Sequence, residues 1–160
     1  MREPVLSILL GTSGLTVAFL VSLMLAVRRP PLASAQVPDV QRAATFAVAG
    51  QAVHFVEELW YGFHVRFPET LGLSPWPRGF FVTFNVTWLL IWMVAIATLA
   101  RFRRLTAVAL WFLAIASIAN GVVHPVLSII AGGYFPGLWS SFVVGMLGVV
   151  LVRRLASASR

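Results

Sequence analysis

Long apolar runs alternate with short polar, arginine-bearing stretches along the whole chain. The runs cover residues 4–27, 43–63, 80–100, 105–131 and 138–152, give or take a residue or two. A helix needs about 20 apolar residues to cross a bilayer. The runs are continuous rather than alternating, which excludes a β-barrel. The pattern therefore predicts an all-α fold: a polytopic transmembrane bundle of about five helices, forming one domain over residues 1–160. Arg28-Arg29-Pro30-Pro31 stops the first run, which is too long for the apolar region of a signal peptide although Ala33-Ser34-Ala35 resembles a cleavage site. The segment up to Gln41, the stretch His64–Gly79 and the stretch Gly132–Gly137 read as loops. Pro125 should disturb the fourth helix and free a carbonyl near residue 121. The fifth run is short for a span, and the residues after it read as a small polar tail.

The second run breaks its own pattern. His54, Glu57 and Glu58 stand among apolar residues at i, i+3 and i+4, so they share one helical face. Gln51 lies one turn before them, and Tyr61 one turn after Glu57, as a partner for Glu57 or an interfacial anchor. Each ionisable group at bilayer depth costs about 2.5–3.5 kcal/mol, so three on one face need partners, a metal or protons. A site is the default reading of such residues, and a hydrogen-bonded network that only fixes helix packing is its rival. The fourth run carries a second polar stripe of Ser117, Asn120, Gly121, His124 and Ser128. Counted from Ala43 and Leu105, Glu58 and Asn120 both fall roughly 22 Å along their helices, so the two stripes share a depth. Ala43, Ala47 and Gly50 offer a small-residue face to a neighbouring helix. Thr83, Asn85 and Thr87 point hydrogen-bonding groups toward the site or toward backbone, and His64 lies in a loop near it.

Composition sharpens this picture. Charged residues make up 11% of the chain, against about 25% in a soluble domain, which supports the membrane reading. The net charge of +7 would suggest nucleic acid in a soluble protein. Here the arginines lie between the apolar runs, so they signal topology, and no nucleic-acid partner is expected. With five spans, Arg28, Arg29, Arg42, Arg101, Arg103, Arg104, Arg153, Arg154 and Arg160 fall on one side and Arg2, Arg66 and Arg78 on the other. That places the N-terminus outside and the C-terminus in the cytoplasm. Every basic residue is arginine and no lysine occurs, which suggests a coding bias such as that of a GC-rich bacterial genome, and the expected location is the bacterial inner membrane. Cysteine is absent, which excludes thiolate chemistry.

His54-x-x-Glu57-Glu58, the later His124, and Tyr134-Phe135-Pro136-Gly137 together resemble the HXXEE family of bacterial membrane proteins, across about half of the chain. The resemblance implies an integral membrane protein with a shared polar site built on His54, Glu57, Glu58 and His124. It implies no reaction. In the turn, Tyr134, Pro136 and Gly137 are expected to set shape, with the tyrosine hydroxyl within reach of the site.

Three functions compete. In a metalloenzyme, His54, His124 and Glu58 ligate Zn²⁺, Fe²⁺ or Mn²⁺, and Glu57 is a further ligand or the base on a metal-bound water. Gln51, Asn120, Ser117 and Tyr134 then support the ligands. In a metal-free isomerase or cyclase of lipids or isoprenoids, one glutamate is the acid and His124 or the other glutamate the base. Trp88, Trp92 and Trp111 would then face a carbocation. The third reading is a proton-coupled transporter or binding protein without catalysis. The expected partners are the bilayer and an apolar or amphipathic small molecule, with oligomerisation left open.

Overall fold

The computed structural model describes residues 2–159, with side chains from Val5 onward. The Arg2 and Arg160 side chains used for the topology expectation, and the outer limits of the 1–160 domain, lie outside the described residues. Seven α-helices and one short 3₁₀ turn occur among the described residues, and no strand does. They are α1 (Arg2–Gly11), α2 (Ser13–Arg28), the turn Ser34–Gln36, α3 (Val37–Trp60), α4 (Phe63–Thr70), α5 (Arg78–Thr98), α6 (Arg103–Ile130) and α7 (Leu138–Ala158).

The first apolar run is not one straight helix. It bends by 47° between α1 and α2. The weak helix formers Gly11, Thr12, Ser13 and Gly14 explain the break. The Thr12 hydroxyl donates to the Ile8 carbonyl at 2.7 Å and the Ser13 hydroxyl to the Leu10 carbonyl at 2.7 Å, so local side chains satisfy backbone groups at the elbow. The segment after Tyr61 is half helical rather than a loop. Gly62, at φ 75°, turns the chain, and α4 follows with buried Phe63 one turn from half-buried Phe67. Pro125 does not break α6, which runs unbroken from Arg103 to Ile130. α7 continues past the expected tail because Leu151, Leu155 and Ala158 are buried at helical spacing.

The expected five spans are corrected as well. Three helices, α5, α6 and α7, are long and apolar enough to cross a membrane, or four if the bent α1–α2 pair forms one span. α3 has the length, at 24 residues, but not the apolarity. The residues that lower it, among them Gln51, His54 and Glu58, are the ones that turn inward.

α6 forms the centre, packed against α2, α3, α5 and α7. Leu110, Trp111, Phe112, Leu113 and Ala114 are buried in sequence, so this helix is covered on all sides there. Between α6 and α7 the backbones nearly touch. A Cβ on Gly121 would lie 2.9 Å from the Gly145 Cα, and one on Gly148 would lie 2.8 Å from the Ala114 carbonyl oxygen. This close approach is the small-residue packing of helices in lipid. α7 also lies against α3, where a Cβ on Gly50 would meet Leu147 at 2.8 Å.

The two ends of the bundle differ. At one end, Arg103 donates to the Leu32 carbonyl at 3.0 Å and to Ser34, and the Ala33 amide donates to the Ala158 carbonyl. Arg154 and Asp39 pair there at 3.8 Å, both about half exposed, a contact worth about 0–1 kcal/mol. The other end holds α4, the Trp76 segment and the Tyr134–Gly137 turn.

Because α6 and α7 meet backbone to backbone, Gly121→Val should cost about 1–3 kcal/mol through overpacking. Thermal unfolding in detergent will show this as a lowered midpoint, while Gly14→Ala, with open space beside it, leaves the midpoint unchanged or slightly raised.

Candidate metal centre

His54 and Glu58 are one turn apart on α3, and His124 faces them from α6. All three are buried, at 1%, 7% and 1% exposure. Glu58 Oε1 lies 3.5 Å from His54 Nε2 and 3.3 Å from His124 Nε2. One ligand atom from each residue falls within 4.8 Å of the other two.

The far side of each imidazole fixes its proton. His124 Nδ1 lies 2.6 Å from the Pro136 carbonyl oxygen, which only accepts, so Nδ1 carries hydrogen. The Ser140 hydroxyl lies against a Glu57 carboxylate oxygen and donates to it. Its oxygen therefore accepts from His54 Nδ1–H, at 2.8 Å. With both Nδ1 atoms protonated, both neutral rings present an Nε2 lone pair to Glu58. His54 Nε2 is buried and has no hydrogen-bond partner. Three electron-pair donors thus converge in a buried space, and the group could hold a metal ion between them. Donors held about 2 Å from one tetrahedral ion sit roughly 3.3 Å apart, the spacing found from Glu58 to each histidine.

The adjacent glutamate does something else. Glu57 is about 100° around the helix from Glu58 and faces the start of α7. It accepts from the Trp139 amide at 3.2 Å, the Ser140 amide at 2.9 Å, the Ser140 hydroxyl and the Tyr134 hydroxyl at 2.7 Å. This is a helix cap supplied by a different helix: a carboxylate satisfies otherwise unpaired N–H groups at the positive end of α7. The expected fourth ligand is therefore not in the His54–Glu58–His124 group. Burial, then the bond to Glu57, pushes the Tyr134 hydroxyl pKa up, which keeps it a donor. Tyr61, the residue weighed as a partner for Glu57, is exposed and lies edge-on to Tyr134, ring centres 5.0 Å apart.

The turn before α7 has to come close. Gly137 has φ 88°, and a Cβ there would sit 2.5 Å from His124 Cε1 and 2.9 Å from His54 Cε1. Only glycine meets both conditions. Phe135 is buried, and its amide donates to Ser128 at 3.1 Å.

The other expected residues divide. Gln51 donates to Ser117 at 3.2 Å, one turn along the same faces. Asn120, Trp88 and Trp92 line a cavity of about 480 Å³ that His54, Glu58 and His124 also line. Trp111 does not line it and instead lies beneath Arg29, 5.2 Å from the guanidinium carbon. Asn85 lines it too, but its amide donates to the Phe81 carbonyl. His64 is apart from the cluster, stacked on Phe81, and burial with nearby Arg78 lowers its pKa. Ser140 was not anticipated. Its sequence signal is slight: a hydroxyl residue three positions after Gly137, where a helix opens.

The chain belongs to the family described as proteins of unknown function with an HXXEE motif, and residues 45–152 match it. Neither the curated proteins nor the solved structures contain a match.

Glu57→Gln leaves α7 with a neutral cap and should cost about 1–3 kcal/mol, with Tyr134→Phe at about 0.5–1.5 kcal/mol. Thermal unfolding of the two single variants and the double variant will check this, and the pair should be less than additive because both act on one hydrogen-bond network.

Proposed function

We propose that this chain is a membrane-embedded metalloenzyme whose divalent cation, Zn²⁺, Fe²⁺ or Mn²⁺, is held by His54, Glu58 and His124, and whose substrate is apolar or amphipathic. The observation that carries the reading is the convergence of two imidazole lone pairs and a carboxylate oxygen in a buried space. Two imidazoles and one carboxylate form a hard-to-borderline donor set that suits these ions. Bound there, the cation would supply Lewis acidity for hydrolysis or, as Fe²⁺ or Mn²⁺, a redox centre for oxidative chemistry.

The protein's own groups do the rest. The Pro136 carbonyl and Ser140 hold the two rings in register, and Glu57 holds Ser140 and the start of α7. Asn120 supplies a polar group within the cavity wall, beside aromatic rings that offer apolar surface. The arginine-rich end faces the cytoplasm by the positive-inside rule, which sets the cluster toward the opposite face of a bacterial inner membrane.

A metal-free acid–base isomerase or cyclase is the second reading. Glu58 between two imidazoles can share a proton instead of an ion, and Trp88 and Trp92 line the same cavity, where a carbocation could meet their faces.

Elemental analysis of the detergent-solubilised protein, purified without chelator, separates the two. The metal reading predicts about one ion per chain, lost at least tenfold in His54→Ala, His124→Ala and Glu58→Gln and retained in Glu69→Gln on exposed α4. Metal-free wild type that still turns over a lipid, with activity lost in Glu58→Gln, would replace it by the acid–base reading.

A further inference from the structure

The cavity beside the cluster is long rather than round. On α6 its wall from His124 of the cluster to Phe112 covers twelve residues or about 18 Å of helix. On α5 it runs from Phe80 to Trp92, also about 18 Å. One end carries His54, Glu58 and His124. The other is closed by rings: Phe112 lies 4.4 Å from Trp88 and 6.0 Å from Trp92, centre to centre, and Phe19 of α2 lies 5.7 Å from Phe112. The chamber thus has its titratable groups toward one end and aromatic rings at the other, with Gln51, Asn85 and Asn120 in the mostly apolar wall between them.

Its side wall is the elbow between α1 and α2. Leu10 through Leu15 line the cavity there. α2 and α5 both pack on α6, and they meet each other at Phe19 and Trp88, at the floor. At the level of the elbow the cavity lies between them. Gly11 is seated against Trp76, where a Cβ would lie 2.3 Å from the indole, and Trp76 donates to Ser7 at 3.1 Å, which donates in turn to the Ser74 carbonyl. The elbow is therefore pinned open from one side. Gly14, on the other side, is exposed, and a Cβ there meets nothing within 4 Å. The outer faces of α1 and α2 around it are apolar, with Leu9, Leu10 and Val17 exposed as for lipid contact.

We infer that the cavity takes a single-chain amphiphile from the bilayer through the gap at the α1–α2 elbow, its polar end at His54, Glu58 and His124 and its hydrocarbon tail against Phe112, Trp88 and Trp92. This deepens the functional reading above and rests on it for the polar end alone. An 18 Å chamber suits an extended chain of about fourteen carbons, since C–C bonds of about 1.5 Å advance a zigzag chain by only about 1.3 Å each. Ala119, half-buried in the cavity wall, is the position where a larger side chain would fill the channel midway.

The test is photolabelling of the full-length protein in lipid nanodiscs with a fourteen-carbon carboxylate that carries a diazirine at its methyl end. The expected labels fall on Phe112, Trp88 or Trp92. They should drop at least tenfold in Ala119→Phe at unchanged unfolding midpoint and metal content, and Gly14→Leu should slow labelling while sparing metal. Labelling confined to outward-facing residues overturns the proposal. So does labelling undiminished in Ala119→Phe, or a fused-ring amphiphile that competes better than the unlabelled fourteen-carbon acid. Metal content is read separately, so labelled but metal-free wild type sinks the metal reading and keeps this one, and metal-loaded but unlabelled wild type does the reverse.

Discussion

Two N–H groups organise the centre of this protein. An imidazole has one proton to place when neutral, and whichever nitrogen takes it leaves the other as an acceptor. Here the Pro136 carbonyl fixes the proton of His124, and the Ser140–Glu57 pair fixes that of His54. Both lone pairs are then turned inward onto Glu58. In water the resulting crowd of acceptors would be relieved by solvent. Within an apolar bundle a bound cation or a shared proton would relieve it, because an unpaired buried acceptor costs free energy comparable to a lost hydrogen bond.

Much of the surrounding architecture follows from holding those two protons in place. The partners of both rings come from the start of α7, so α7 must be fixed against α3 and α6. Gly50, Gly121, Gly145 and Gly148 bring the helices within reach, and Gly137 admits the turn between the rings. Glu57 then caps α7 from α3 and ties its position to the ligand-bearing helix. One glutamate of the pair serves the helix and the other faces the imidazoles. Their adjacency in sequence places them on neighbouring faces of one turn, which is what lets a single helix do both.

A good part of this was legible in the sequence. Charged residues inside an apolar run mark a site wherever lipid is the solvent, and that argument picked out His54, Glu57, Glu58 and His124, of which the fold brings all but Glu57 together. The all-helical class was equally plain. The elbow at Thr12 was hidden because Gly and Thr do not lower the apolarity of a run enough to show a break. α4 was hidden by its proline and charges, although Phe63 and Phe67 have helical spacing. The span count was overestimated because α3 owes its place to inward-facing polar residues rather than to hydropathy. Which glutamate meets the histidines, and that Tyr134 rather than Tyr61 holds Glu57, depends on where α7 starts in space. No pattern local to α3 carries that information, and Ser140 escaped for the same reason.

The central claim is that both histidines keep their proton on Nδ1 and offer Nε2 to a shared cation. Nitrogen-15 NMR of histidine-labelled protein in detergent reads this directly, with His54→Gln and His124→Gln for assignment and Zn²⁺ as the added ion. The account predicts Nδ1-protonated rings at both positions, with both Nε2 resonances moving on Zn²⁺ addition and both Nδ1–H signals retained. An Nε2-protonated ring at either position, or Nε2 resonances that ignore the ion, would contradict it.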